Sequence, residues 1–120
     1  MSVWNYSDKD FTSTAANTYE YSGVSFTVPA NQVYEFIAQD KYSSGNPIAI
    51  AVTDNNSSIG ANSSIIAENA QEISQSNVYP WARSVTGMTV RHSSTNTYYI
   101  WVKRASASVS RVALAYRRIY

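Results

Sequence analysis

Strict two-residue alternation in the last quarter of the chain constrains the fold more than any other feature. In residues 97–104 two sets of side chains alternate: Tyr98, Ile100 and Val102 against Tyr99, Trp101 and Lys103. In residues 109–120 the sets are Val112, Leu114 and Tyr116 against Arg111, Ala113, Ala115 and Arg117. This pattern is typical of antiparallel strands that bury one face and expose the other. We predict two such strands, joined as a hairpin by a short Ala/Ser turn.

The earlier chain shows further strand patterns, separated by turn residues. The predicted strands are 18–21, 24–28, 33–40, 48–54 and 85–92, and Ser22-Gly23 is predicted as a turn. Pro29 presets a turn and Asn31 tolerates the dihedral angles that follow, so 24–28 and 33–40 are predicted to form a hairpin. Residues 64–75 fit a short helix or an irregular strand equally well.

Seven or eight short strands separated by turn signals are typical of a two-layer β domain. We therefore predict an all-β fold, an antiparallel β-sandwich resembling a jelly roll. The side chains predicted to face its core include Tyr34, Phe36, Ala38, Ile48, Ile50, Val52, Met88, Val90 and His92. The small Ala49 and Ala51 predict the close approach of another surface on the opposite side of their strand.

With 120 residues the chain is long enough for one core. Residues 17–120 are predicted to form the single domain. Residues 1–16 have no steady period but contain Trp4, Tyr6 and Phe11, which indicates an arm packed on its own domain or on a neighbouring subunit. The first residues lack the pattern of a secretion signal, and no apolar stretch approaches the roughly 20 residues of a membrane span. We expect no membrane insertion.

Charge is distributed unevenly along the chain, although the net charge is only +1. All eight carboxylates lie in the first 72 residues, and the remaining 48 residues carry seven basic side chains and no acid. Such asymmetry occurs in proteins that bind nucleic acid or membranes. It also arises when acidic and basic strands pair within a sheet or between subunits. The second interpretation is favoured here, because the basic residues alternate with apolar ones.

Residues suited to catalysis are few. His92 is the only histidine, there is no cysteine, and the four glycines are isolated. A catalytic triad, a thiolate metal site and a phosphate-binding loop are therefore not indicated. Paired carboxylates for glycoside hydrolysis would have to come from Glu35, Asp40 and Asp54, which lie in ordinary solvated positions. We predict a non-enzymatic protein with no cofactor and no metal.

Aromatic residues next to basic ones are the main candidates for recognition. One group is Tyr79, Trp81 and Arg83 in a predicted loop, and the other is Tyr99, Trp101 and Lys103 on one strand face. Such rings bind sugars or bases by stacking. The same residue types are enriched at subunit interfaces, which is the favoured interpretation. Arg111, Arg117 and Arg118 are candidates for charge pairing across that interface.

Two segments, 25–36 (SFTVPANQVYEF) and 111–120 (RVALAYRRIY), resemble small β-sandwich modules of tailed-bacteriophage virions. These modules occur in tail-fibre, baseplate, head-fibre and decoration proteins. The resemblance lies in the Ser/Asn/Tyr-rich composition, the turn through Pro-Ala and a final strand ending in Tyr. It implies a homotrimeric sandwich attached to a capsid or tail. The short chain beginning at Met1 favours a small accessory or decoration subunit.

The leading hypothesis is a virion structural or attachment module that forms a homo-oligomer, with a trimer favoured. Its expected partners are other virion proteins and a host-surface glycan, and its expected location is the virion, after synthesis in the host cytoplasm. The alternative is a carbohydrate-binding module. A weaker alternative is a nucleic-acid-binding protein that uses the basic C-terminal half.

Overall fold

The computed structural model of the chain describes residues 3–41, 47–55, 59, 65–70 and 82–120. Over these residues the backbone forms β-strands and no helix. The strands are β1 (Asn5–Thr12), β2 (Glu20–Val28), β3 (Tyr34–Lys41), β4 (Pro47–Thr53), β5 (Ile65–Asn69), β6 (Ala82–Met88), β7 (Asn96–Arg104) and β8 (Val109–Arg118).

The strands form two four-stranded sheets. Sheet A has the order β1-β8-β3-β6 and sheet B the order β2-β7-β4-β5. All neighbouring strands are antiparallel. Six of the seven connections between consecutive strands in the described chain pass from one sheet to the other, and only β4 and β5 are both consecutive and paired. This strand order is that of a jelly roll, so the predicted antiparallel sandwich is confirmed.

Both predicted hairpins are wrong. β2 and β3 lie in different sheets, as do β7 and β8. In each case the connection crosses from one sheet to the other, so the two strands do not pair through hydrogen bonds. Phe26 and Phe36 meet in the core with ring centroids 5.7 Å apart. The turn residues were identified correctly, since Gln32 N donates to Pro29 O (3.2 Å) and Asn31 has a φ of 64°.

The core lies between the sheets and has the composition that the alternation predicts. Its members from the C-terminal strands include Tyr98, Ile100, Val102, Val112 and Leu114. The other strands contribute Val24, Phe26, Val28, Phe36, Ala38, Ile50 and Val52. Burial of these side chains removes apolar surface from water on both sheets at once, which is the main favourable contribution to folding.

Strand β2 runs through the predicted Ser22-Gly23 turn. The register with β7 shifts between Tyr21 and Ser25, which marks a β-bulge. Gly23 has a φ of 81° there, a conformation that residues with a Cβ rarely adopt. Ser22 stabilises the bulge, because its buried hydroxyl donates to Ile100 O (2.7 Å) and accepts from Val24 N (3.2 Å).

The structure corrects two further predictions. Ile65–Asn69 is a strand, so the helix alternative for 64–75 is wrong there; residues 71–75 lie outside the described residues. The predicted inward set Met88, Val90 and His92 is exposed, and Val85 and Thr89 face inward instead. The prediction failed because the inward position between Val85 and Thr89 belongs to Gly87, which has no side chain and therefore no apolar signal. The Phe36 ring fills this position: a Cβ on Gly87 would lie 2.8 Å from Phe36 Cζ.

Residues 5–12 of the predicted N-terminal arm form β1, an edge strand of sheet A that pairs with β8 along its length. Nearly all β1 side chains are exposed, and only Phe11 is partly buried against the core. The backbone ladder therefore contributes more to holding β1 than apolar packing does.

Candidate functional site

Trp101 lies on the outer face of sheet B but is only 6% exposed. Its Nε1 donates to Thr53 Oγ1 at 2.8 Å, and its ring packs against Tyr21 with centroids 5.8 Å apart. Ala51 is its cross-strand partner on β4, and this small side chain leaves room for the indole. Ala49 and Ala51 are both fully buried. The neighbour of Ala51 is Trp101 of the same sheet, so the approach of another surface stays a prediction.

Around Trp101 lies an aromatic patch that also includes Tyr19, Tyr21, Tyr99 and Lys103. Tyr21 and Tyr99 meet edge to face, with centroids 5.5 Å apart. The Lys103 ammonium lies 4.5 Å from the centroid of Tyr19. Lys103 was predicted to lie beside Tyr99 and Trp101, whereas Tyr19 and Tyr21 join them only through the pairing of β2 with β7.

The hydroxyl of Tyr19 binds a carboxylate from β5, the edge strand of sheet B opposite β2. Tyr19 Oη donates to Glu68 Oε2 at 2.5 Å. Burial, and then the hydrogen bond and negative charge of Glu68, raise the pKa of Tyr19 above its usual value. This phenol therefore stays a hydrogen-bond donor over the whole physiological pH range. The patch thus combines ring faces with a fixed cation and a fixed carboxylate.

The other predicted aromatic group lies for the most part outside the described residues. Tyr79 and Trp81 lie outside the described residues. Arg83 lies in β6 of sheet A and is buried, with its Nε donating to Pro47 O (3.3 Å). Arg83 is therefore in the opposite sheet from Tyr99 and Lys103 and points into the protein.

The basic C-terminal strands find acidic partners within the same chain. Between described residues, every ion pair joins Asp or Glu of β1 or β3 to Arg of β7 or β8. Arg111 pairs with Asp8 and Asp10, at 3.6 and 3.3 Å. The pairs of Arg111 and Arg117 lie within sheet A, which is one of the two forms of the favoured interpretation, whereas the pair of Arg104 with Asp40 joins the two sheets.

The remaining predicted interface arginines have partners as well. Arg117 pairs with Glu35 and lies over the Trp4 ring, 4.5 Å from its centroid. Arg118 Nε donates to Tyr120 O (3.1 Å). Charge complementarity with another molecule is therefore not required to satisfy Arg111 or Arg117.

The most buried charges belong to Arg104 and Asp40, which the sequence did not single out as a pair. Arg104 Nε and Nη2 donate to both Asp40 oxygens, at 3.0 and 2.7 Å, and both side chains are fully buried. Arg104 Nη1 also donates to Phe11 O (2.8 Å) and Ser108 O (2.9 Å). Burial raises the pKa of Asp40, and Arg104 opposes this shift. The pair ties β7 of sheet B to β3 and β1 of sheet A.

The outer face of sheet A carries exposed apolar side chains. Tyr6 is 67%, Ile37 42% and Met88 64% exposed. Two shallow depressions lie on either side of Ile37. The smaller, of about 160 Å³, is lined by Tyr6, Ile37, Gln39, Ala113, Leu114 and Ala115. The larger, of about 430 Å³, is lined by residues that include Trp4, Glu35, Ile37, Thr86, Met88 and Ile119.

Signals for chemistry are sparse in the described part of the chain. His92 is exposed, and its carbonyl accepts from Asn31 N at 2.7 Å. Among the residues with described positions, no three His, Cys, Asp or Glu side chains cluster as metal ligands would. The same residues contain no helix long and apolar enough to span a membrane.

Searches against models of protein families, curated proteins and solved structures find no match to this chain. The jelly roll itself is shared by viral capsid proteins, lectins and cupins, and a fold shared by so many functions does not specify one. The features that bear on function are therefore the two surfaces described above: the aromatic patch of sheet B and the apolar outer face of sheet A.

Proposed function

We propose that the protein is a non-enzymatic structural or attachment subunit of a virion, such as a phage fibre, tail or capsid-decoration protein, which assembles with copies of itself. The observation that carries the proposal is the exposed apolar face of sheet A. Exposed apolar side chains grouped on one face mark interaction sites in proteins that are otherwise polar outside. The small side chains of Ala113 and Ala115 leave only a shallow depression in this face, which suits contact with a broad surface.

Two further features support a role in assembly. The jelly roll occurs in capsid proteins, and the chain is rich in Ser, Thr and Asn, which make up 38 of the 120 residues. Such a composition keeps a subunit soluble without the strong charge that would oppose close packing of many copies. The trimer and the phage origin remain predictions from the resemblance.

The mass of the purified chain in solution tests the proposal. Multi-angle light scattering over a wide range of concentrations should show a multimer of the 13.3 kDa chain that persists at high salt, because its contact is mainly apolar. A chain that stays monomeric at every concentration would contradict self-assembly. The genes that flank its own provide the second test, and neighbours that encode no capsid or tail proteins would count against a virion subunit.

Glycan binding at the aromatic patch is a second candidate function. Tyr21 and Tyr99 present partly exposed rings beside Lys103 and Glu68, and sugars bind to such combinations of ring faces and charged groups. A glycan array should then show binding that Tyr99→Ala abolishes. Tyr6→Ala is the matched control, because it removes an exposed tyrosine from the other sheet. An array with no signal for the unaltered chain would rule out this candidate for the glycans displayed.

A further inference from the structure

We propose that the outer face of sheet A pairs with the same face of a second copy of the chain, about a two-fold axis that runs parallel to the strands between β3 and β8. This inference rests on the proposed self-assembly and specifies its geometry. The partner is a second copy because, after rotation about that axis, the row of Ile37 is complementary to itself in side-chain size and the row of Arg117 is complementary to itself in charge.

The register of sheet A places the outward side chains in rows across the strands. One row contains Tyr6, Ala115, Ile37 and Thr86, from β1 to β6. The next row towards the chain ends contains Arg117, Glu35 and Met88, with the Trp4 ring against Arg117. The row on the other side contains Asp8, Ala113, Gln39 and Ser84.

Rotation about the proposed axis exchanges β8 with β3 and β1 with β6, and keeps each row in place. Ala115 then lies opposite Ile37 of the second copy, and Ile37 opposite the second copy's Ala115. A small side chain therefore meets a large one at both central positions. The depression of about 160 Å³ next to Ala113 and Ala115 is the space that Ile37 of the second copy would enter. Packed sheets need this interdigitation to fill the space between them.

Charge follows the same symmetry. Arg117 of one copy lies opposite Glu35 of the other, and each is already the other's partner within its own chain. The contact therefore forms a four-membered network of alternating charges. Met88 comes close to Trp4 of the second copy, so apolar groups flank this network on both sides.

The opposite end of the face sets the limit of the contact. Arg111 lies opposite Lys41 across β8 and β3, as the neighbouring pair Asp40 and Val112 shows. Rotation would bring these two cations of different copies together. The strands of packed sheets cross at an angle of about 30°, so Arg111 and the second copy's Lys41, four residues along the strands from the Ile37 row, are displaced sideways from one another. Pairing of identical faces about a two-fold axis is the commonest way in which soluble chains form closed oligomers.

The test uses cysteines introduced into a chain that has none. Tyr6→Cys and Thr86→Cys lie on opposite edge strands of sheet A, three strand spacings apart, or about 14 Å. The proposed axis brings position 6 of one copy over position 86 of the other, with the two backbones about 10 Å apart, as in packed sheets, and the two thiols between them. Two thiols at the same position are farther apart, because the spacing across the sheet adds to that distance. A short bis-maleimide is the cross-linker.

A mixture of the two variants should give a cross-linked product of twice the chain mass, several-fold more than either variant alone. Thr27→Cys, exposed on sheet B, is the matched control and should give little product with either variant. Strong cross-linking of one variant with itself would overturn the proposed axis. A multimer by light scattering that gives no product from the mixture would overturn this pairing but leave self-assembly intact. A monomer by light scattering would contradict both.

Discussion

Arg104 places a positive charge in the protein interior, where hydrogen-bond acceptors surround its guanidinium. Asp40 binds it through two hydrogen bonds, and the carbonyls of Phe11 and Ser108 accept from its remaining Nη. A buried ion pair of this kind gives little net stability compared with an apolar pair of the same shape. Its removal on one side is costly, because it leaves the other charge buried and unpaired.

We therefore predict that Arg104→Met lowers the free energy of unfolding by about 3–5 kcal/mol. Asp40 would be left as an unpaired buried carboxyl, and Phe11 O would lose its side-chain donor. Arg111→Met is the matched control, since Arg111 also pairs with aspartates but is half exposed. Its loss should change stability by at most about 1 kcal/mol. Urea denaturation measures the free energy of unfolding of both variants. Equal losses of stability in the two variants would show that the interior position of Arg104 has no special effect.

Gly23 is the second single residue on which the fold depends. Its φ of 81° shapes the bulge in β2. An added Cβ would also lie 2.6 Å from Lys9 Nζ, the end of a flexible side chain that moves easily. Backbone strain is therefore the main cost of a side chain at this position.

Gly23→Ala is expected to lower the free energy of unfolding by about 1–2 kcal/mol. If the cost is backbone strain, adding Lys9→Ala should not recover it. Thermal denaturation of the single and double variants distinguishes these outcomes. Full recovery in the double variant would instead assign the cost to the contact with Lys9.

At the scale of the strands, β1 and β7 differ in what holds them. β7 lies between β2 and β4 and places its inward side chains in the core. β1 pairs only with β8, and its side chains are exposed except near Phe11, whose carbonyl is bound by Arg104. The strand is therefore fixed firmly at one end and weakly at the other.

Amide hydrogen exchange should show this difference directly. At a dilution where the chain is monomeric, we expect the β1 amides near Tyr6 to exchange through local opening, far faster than those of β7, which should require global unfolding. Protection should increase along β1 towards Phe11. Equal protection of β1 and β7 amides would contradict a weakly held edge strand. At higher concentration, protection of the β1 amides that falls on dilution would instead indicate that self-association covers β1.

Sequence patterns predicted the strands much better than they predicted the partners of those strands. The two-residue alternation identified the inward sides of β3, β4, β7 and β8, because burial of one face is a local property of each strand. Turn residues do not determine whether the chain reverses within one sheet or crosses to the other sheet. Both connections need similar short polar segments, so 29–32 and 105–108 were wrongly read as hairpin turns.

The remaining errors have local physical causes. Gly87 has no side chain, so Phe36 fills its inward position and the exposed Met88 and Val90 look like the core side of β6. Tyr19 and Tyr21 could not be assigned to the patch around Trp101 without the pairing of β2 with β7. The charge asymmetry did predict pairing of acidic with basic strands, which occurs within the chain.

At the scale of the whole molecule, the outer face of sheet A pairs Arg111 and Arg117 with its own carboxylates. Its apolar side chains Tyr6, Ile37 and Met88 are exposed, and no described residue covers them. Ile37 stands at the centre of this face, between the two depressions. The central claim is therefore that this face of the jelly roll is where copies of the chain meet.

Sedimentation equilibrium of Ile37→Asp tests that claim most directly. Ile37 is 42% exposed in the single chain, so aspartate is tolerated there in the fold but becomes a buried, unpaired charge in the assembly. The dissociation constant should rise roughly a hundredfold or more. Thr27→Asp, exposed on sheet B, should leave it unchanged. An unaltered association constant for a folded Ile37→Asp chain would contradict self-assembly through this face.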